Sequence, residues 1–340
     1  MRVNHKTPTT AIFRKIAAGV VILLLVFAAM SRLSGRLPVQ AAETTYSIRV
    51  NVAANVVTIY KNGKPFKVML CSTGPATPTS GTYGLKEKHR WHTLFYGVYG
   101  QYTSCITGNI LFHSIPYERY KDPGSLQYWC YDHLGTADSH GCVRLACADA
   151  KWIYDNCPQG TKVTMYSNAA VPGPMGKPGL SPISASPDKL RSWDPTDPDA
   201  QNPWHAYTGT AFDAEYYYAH YPDLQEAVGH DAERLRLHWL TSGIREGRQA
   251  SARFWMLEYE NKNGLPGGEM NHYASVLQFN REVNESGKTL SSLTRETFDH
   301  VYYANLYPDV KAAFGYDAAK LWAHYVHFGV AEGRQARAKK

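Results

Sequence analysis

The chain reads as a mainly β front domain with one short helix, followed by an α-helical repeat domain at the C-terminus. Three observations predict this. Apolar residues alternate on both sides of Asn62-Gly63, and Asn-Gly between alternating runs is a strong hairpin signal. Pro, Gly, Ser and Asp then crowd residues 167–205 with little periodicity. Beyond them, residues 212–250 and 298–336 align with each other without a gap, and self-similarity of this kind marks a stacked unit.

Taken in order, residues 1–42 have a basic start, an apolar run from Ile16 to Met30 and a polar stretch ending Val39-Gln40-Ala41-Ala42. This pattern predicts a signal peptide cleaved after Ala41 or Ala42, or an uncleaved membrane anchor. Either places the body outside the cytoplasm, secreted or held at the membrane only through this segment, because the charge preceding the apolar run exceeds that following it. The net charge is +7, and six basic residues in the leader account for all but one of it. The nearly neutral body excludes an electrostatic nucleic-acid footprint.

Residues 45–166 supply the β pattern. Ile48, Val50 and Val52 alternate, Val56 to Tyr60 runs into the Asn62-Gly63 turn, and Phe66, Val68 and Leu70 lead into Cys71-Ser72-Thr73-Gly74. Gly84 to Tyr99 is rich in Lys, His, Trp and Tyr, as a groove border or a solvated edge strand is. Asn109 to Phe112 predicts a buried strand ending on His113 and Ser114, with Pro116 stopping regular pairing. The stretch from His113 to Ser139 holds Tyr117, Tyr120, Tyr128, Trp129 and Tyr131, and reads either as a lid or subsite wall, or as a surface loop packing its aromatics on the sheet. Ala148 to Asn156 fits a short helix with Ala150 and Ile153 inward and Asp149 near its positive end. Thr161 to Tyr166 alternates as a closing strand.

Residues 167–205 predict an extended, partly ordered linker, with a helical repeat region over 206–340. Within each copy, Tyr-Pro-Asp and Gly bound two or three short helices. The copies lie 86 positions apart, so 255–288 fits a degenerate middle copy. His238 and His324 recur before an aromatic, and are read as packing or capping residues rather than metal ligands.

The chemistry concentrates in Ser139-His140-Gly141-Cys142-Val143-Arg144-Leu145. A cysteine taken alone is usually a small buried residue. Here the missing side chain of Gly141 lets an acyl group approach the sulfur, and the N–H groups of Gly141 and Cys142 are placed to face a developing oxyanion. Six cysteines less one nucleophile leave an odd number, so at least one more thiol is free. Cys105 and Cys130 could pair, whereas Cys71, Cys147 and Cys157 read as core residues.

Four stretches, the SHGCVRL motif, Cys71-Ser72-Thr73-Gly74 with Thr77 to Thr82, Phe112-His113-Ser114-Ile115-Pro116-Tyr117, and His133-Leu134-Gly135, together resemble the L,D-transpeptidase catalytic domain, the YkuD domain. The resemblance implies a β-sandwich with a short helix, and Cys142 as a nucleophile that forms a thioester with a peptidoglycan tetrapeptide stem and expels D-alanine. An amine of a neighbouring stem then resolves it into a 3-3 cross-link, or water does so in a carboxypeptidase. It also implies His113 as general base, the Ser114 carbonyl as its orienter, and no metal or organic cofactor. His140 is placed to shape the oxyanion site, and Arg144 to hold a substrate carboxylate or to form a structural ion pair. Ser139, Tyr117 and Tyr131 are the further substrate-binding candidates. The separation of His113 from Ser139 exceeds the family's spacing, which makes His133 the rival base. The rear region resembles helical repeats of bacterial cell-surface proteins and is expected to bind wall or another envelope protein. A non-catalytic wall-binding scaffold is the competing reading, although such a binder needs no thiol beside an imidazole. A papain-like protease has its nucleophile and histidine in the reverse order.

Overall fold

The computed structural model describes residues 45–286, 298–330 and 332–337. The expected leader, 1–42, lies outside them. Among the described residues, no helix is long and apolar enough to cross a membrane.

Two hairpin strands, β2 (Val56–Lys61) and β3 (Lys64–Ser72), flank the Asn62-Gly63 turn. Both turn residues have positive φ, 50° and 78°, the backbone that suits the right-handed twist of the strands it joins. Seven further strands complete the sheet: β1 (Tyr46–Asn51), β4 (Gly81–Gly84), β5 (Lys88–Thr93), β6 (Tyr99–Thr107), β7 (Ile110–Ser114), β8 (Val143–Leu145) and β9 (Lys162–Tyr166). They form one mixed nine-stranded sheet in the order β4-β9-β1-β2-β3-β8-β7-β6-β5, where a sandwich of two sheets was expected. The short strand β8 bridges the halves, antiparallel to β3 and parallel to β7.

Helix α1 (Tyr128–Asp132) lies in the long connection before β8, and α2 (Cys147–Asn156) follows β8 directly. Helix α2 buries Cys147, Ala150 and Ile153 in a core with Ile48, Val50, Val57, Ile59, Phe112, Val143, Leu145 and Val163. Its C-terminal carbonyls at Tyr154 and Cys157 accept from Lys88 Nζ, a cation satisfying groups that a helix end leaves open.

The residues expected to form a loose linker are instead tied down. Ile183, Leu190, Asp194 and Asp197 are fully buried, and α3 (Asp188–Arg191) forms within the stretch. A second core runs without a break from Leu70, Tyr117, Leu126 and Tyr131 through Ile183, Leu190 and Trp204 to Tyr217, Trp239, Tyr273 and Phe279. Thus the described residues form one compact unit, not two bodies on a tether. Composition misled here because the stretch is polar on average, yet Ile183, Leu190 and Trp204 turn inward and its buried aspartates find backbone and amide donors.

Residues 212–250 contain α4 (Ala214–His220), α5 (Pro222–Ala227), α6 (Ala232–His238) and a π-helical turn over Trp239–Gly243. Two helices follow, α7 (Met256–Asn263) and α8 (Glu269–Ser286). Residues 298–336 then contain α9 (His300–Leu306), α10 (Pro308–Phe314), α11 (Ala318–His324) and a π-helical turn over Tyr325–Gly329. Asp213 caps α4 and Asp299 caps α9 through backbone N–H groups at Tyr216 and Tyr302. His238 Nδ1 lies 2.9 Å from the Tyr217 hydroxyl and His324 Nδ1 lies 3.0 Å from that of Tyr303.

Candidate active site

Strand pairing decides which side chains meet. β7 and β8 run parallel with Phe112 beside Val143, His113 beside Arg144 and Ser114 beside Leu145. Side chains alternate between the faces of a sheet. Phe112, Val143 and Leu145 are fully buried in the sheet core, which turns His113 and Arg144 to the other face. Cys142 enters the strand next to Val143 and shares that face. His113, Cys142 and Arg144 accordingly line one cavity of about 990 Å³.

The loop bearing the cysteine is held by the segment after β3. Ser139 N–H donates to Thr73 O at 3.0 Å, and Ala76 N–H donates to His140 O at 3.0 Å. Thr77 Oγ1 donates to Gly141 O at 2.7 Å while accepting from Gly74 N–H at 2.8 Å. Across the turn, Ser139 Oγ donates to Cys142 O at 2.6 Å. Glycine is demanded twice by close approach: a Cβ on Gly74 would sit 1.8 Å from Ser139 O, and one on Gly141 would sit 2.9 Å from both Ala76 Cβ and Ile110 Cδ1.

His113 is 2% exposed, and its Nδ1 lies 2.5 Å from Ser114 O. A carbonyl only accepts, so Nδ1 carries the proton and Nε2 is left as the acceptor. Burial holds the imidazole far below its ordinary range, at about 3, against the opposing hydrogen bond to Ser114. Burial likewise pushes the Cys142 thiol up, against a backbone hydrogen bond at Leu111 and the nearby Arg144. Both effects favour the neutral thiol and neutral imidazole over a resting ion pair. The thiol lies 3.4 Å from Asn109 O.

Several candidate residues have other placements. Tyr117 and Tyr131 are 0% and 1% exposed in the second core, so neither forms a subsite wall. From the same stretch, Gln127, Trp129 and Cys130 line the cavity instead. Arg144 NH1 donates to Asp138 Oδ2 at 3.0 Å and to Asp138 O at 2.5 Å, an ion pair that fixes the approach to the motif. His133 Nδ1 lies 3.2 Å from the other oxygen of the same carboxylate, at the exposed rim. His140 is exposed, its ring 5.0 Å from that of Tyr96. All six cysteines are free, and Cys142 alone of them is more than slightly exposed, so Cys105 and Cys130 form no disulfide. Sequence reasoning missed Thr77, Gly74 and Asp138 as supports of the motif; their partners Gly141 and Ser139 lie 64 and 65 positions away, or, for Asp138 and Arg144, six, and no local periodicity marks them.

A thiol just ahead of β8 and a buried histidine on the parallel neighbour β7 thus face one cavity, the residue types that nucleophilic cysteine chemistry uses. Residues 45–165 match the family model of the YkuD domain, the L,D-transpeptidase catalytic domain. Over 127 residues the chain is 34% identical to YciB of Bacillus subtilis (strain 168), an L,D-transpeptidase candidate, covering 35% of this chain and 64% of that protein. Among solved structures, the chain is similar to the L,D-transpeptidase LdtMt1 in complex with imipenem, at 21% identity and a TM-score of 0.31 over 36% of this chain and 59% of that one. It is also similar to an L,D-transpeptidase from Mycobacterium smegmatis, at 20% identity and a TM-score of 0.31 over the same shares. The chain thus spans less than two thirds of the length of each of these relatives.

Proposed function

We propose that the protein is a peptidoglycan L,D-transpeptidase working through Cys142. The observation that carries this reading is the shared face of His113 and Cys142, with the imidazole tautomer set by Ser114 O at 2.5 Å. Since both groups rest neutral, the thiol transfers its proton to His113 Nε2 as sulfur attacks the carbonyl of the third stem residue. The tetrahedral oxyanion is received by N–H groups of the Gly141-Cys142 turn. Collapse breaks the amide bond, His113 returns the proton to the departing D-alanine amine, and a thioester remains. A neighbouring stem amine then attacks the thioester, giving the 3-3 cross-link, and the sulfur recovers its proton. Water in place of the amine gives an L,D-carboxypeptidase. The leader is proposed to export this body, and residues 212–250 and 298–336 to be copies of one unit that retains it at the wall.

The test is incubation of the purified protein with tetrapeptide muropeptides, read by mass. Cross-linked dimer with loss of D-alanine is expected, and none with Cys142→Ser, whose hydroxyl is far less acidic. Binding of stems without thioester or product would instead favour a wall-binding scaffold.

A further inference from the structure

Residues beyond the matched domain reach under the candidate site. The loop Asp194-Pro195-Thr196-Asp197 is pinned by Asn202, whose Nδ2 donates to Asp194 O at 2.9 Å and to Asp197 O at 2.8 Å. Both carboxylates are fully buried, although a buried carboxylate is costly unless hydrogen bonds compensate it. Their partners explain why the cost is borne.

Asp194 Oδ2 accepts from Cys147 N–H at 2.8 Å, and Thr196 Oγ1 accepts from Ala148 N–H at 3.1 Å. These are the opening amides of α2, whose own preceding residue, Ala146, has no capping side chain. The loop therefore caps, from 47 positions away, the helix that continues directly from the cysteine strand. On the other side, Asp197 Oδ2 accepts from Gln101 Nε2 at 2.8 Å, and Gln101 Oε1 accepts from Arg90 NH1 at 2.5 Å. The backbone N–H of Gln101 donates to Ser114 Oγ at 2.9 Å, and Ser114 Oγ donates to Ile115 O at 2.9 Å. Ser114 O is the carbonyl that holds His113 Nδ1. Adjacent Gly100 lies against the same ring, for a Cβ there would be 3.2 Å from both Cβ and Nδ1 of His113.

We infer that Asp197 is a positioning residue for His113, acting through Gln101 and Ser114, so that the segment after residue 166 is a working part of the site rather than a spacer. Anchoring the Gln101 side chain holds β6 against β7 where its backbone meets Ser114 and where Gly100 backs the imidazole. Without that anchor, the 100–101 segment and the Ser114 peptide gain freedom, and the ring loses its single orientation. The inference rests on His113 and Cys142 being the reacting pair, and goes beyond it by assigning a role outside the matched domain.

The test compares Asp197→Ala, Asp197→Asn and Gln101→Met with the intact chain. Two readouts are taken on folded protein: the nitrogen-proton NMR signal of the His113 Nδ1–H, and the rate at which Cys142 is acylated by a carbapenem. Asp197→Ala and Gln101→Met are each expected to shift or broaden the His113 signal and to slow acylation about tenfold, the scale of a misplaced base. Asp197→Asn keeps one acceptor oxygen, which, turned to Gln101 Nε2 in place of the Asp199 N–H that Oδ1 now accepts, should restore the signal and most of the rate. An unchanged signal and rate in both Asp197→Ala and Gln101→Met overturns the inference, as does an Asp197→Asn protein that is slow with its signal in place. Should Asp197→Ala fail to fold, Gln101→Met decides alone. The NMR signal reports the positioning even if the intact chain is not acylated, an outcome that would count against the proposed chemistry instead.

Discussion

Replacing Gly74 by alanine tests whether the β3 loop holds the cysteine turn in place. The new Cβ would lie 1.8 Å from Ser139 O and 2.4 Å from Ser139 C, against an ordinary contact of about 3.5 Å. The clash is with backbone on both sides, so rotamer changes cannot relieve it. The two segments must part by roughly 1.5 Å, a separation that the hydrogen bonds from Ser139 N–H to Thr73 O and from Ala76 N–H to His140 O do not survive. Losing both, at about 1 kcal/mol each, predicts a destabilisation of roughly 2–3 kcal/mol, or some 5–10 °C in the unfolding midpoint for a unit of this size. The effect on chemistry should be larger in proportion. A displacement of about 1 Å at a reacting centre costs on the order of 100-fold, so acylation of Cys142 by a carbapenem, followed by mass, should slow to about one hundredth while far-ultraviolet circular dichroism stays native. Acylation within threefold of the unaltered protein, with an unchanged midpoint, would show that the motif is positioned by something other than this contact.

Two further outcomes follow from burial. His113 accepts a proton only when neutral and is held at about 3, so the acid limb of kcat/KM should fall below pH 4 instead of near the ordinary histidine value of about 6.5; a midpoint near 6.5 would refute it. The same depressed value means that the unfolded chain binds a proton that the folded one refuses, so stability is lost as pH falls from about 6.5 toward 3. This amounts to roughly 3 kcal/mol by pH 4, and a His113→Asn protein should lose that part of the pH dependence in chemical denaturation. Truncation after residue 166 should yield insoluble or inactive protein, because it uncovers Tyr117, Leu126 and Tyr131 and strips the caps of α2. A soluble and active 45–166 fragment would contradict the continuous core.

Legibility followed the range of the interactions. The β2–β3 turn was readable because Asn62 and Gly63 both take positive φ, a local demand met by few residue types. The strand ending at His113 and the turn before Cys142 were equally local signals. What could not be read depends on partners far along the chain. Tyr117 and Tyr131 looked like groove residues because an aromatic side chain suits a core and a binding wall alike, and only the chain returning at Leu190 and Trp204 buries them. Asp197 and Gln101 are 96 positions apart, and neither has a neighbour that announces the bond. The polar stretch after residue 166 resembled a linker for the same reason: average composition hides the inward side chains of Ile183, Leu190 and Trp204 when their receiving surface is built elsewhere.

The brevity of β8 has a consequence for how the protein becomes competent. Three residues make too short a ladder to choose their own alignment, and in a sheet a slip of one position exchanges the two faces. Were β8 to settle one residue out, Val143 and Leu145 would point into the cavity and the sulfur would be driven into the oily interior, with every strand still present. Alignment is enforced from outside the strand, by the Thr73 to Thr77 bonds ahead of it and by the capped helix behind it. The aim of the Cys142 thiol therefore draws on a contact made by residue 194, well beyond the strand itself. The support of β8 thus includes a residue encoded some fifty positions after Cys142.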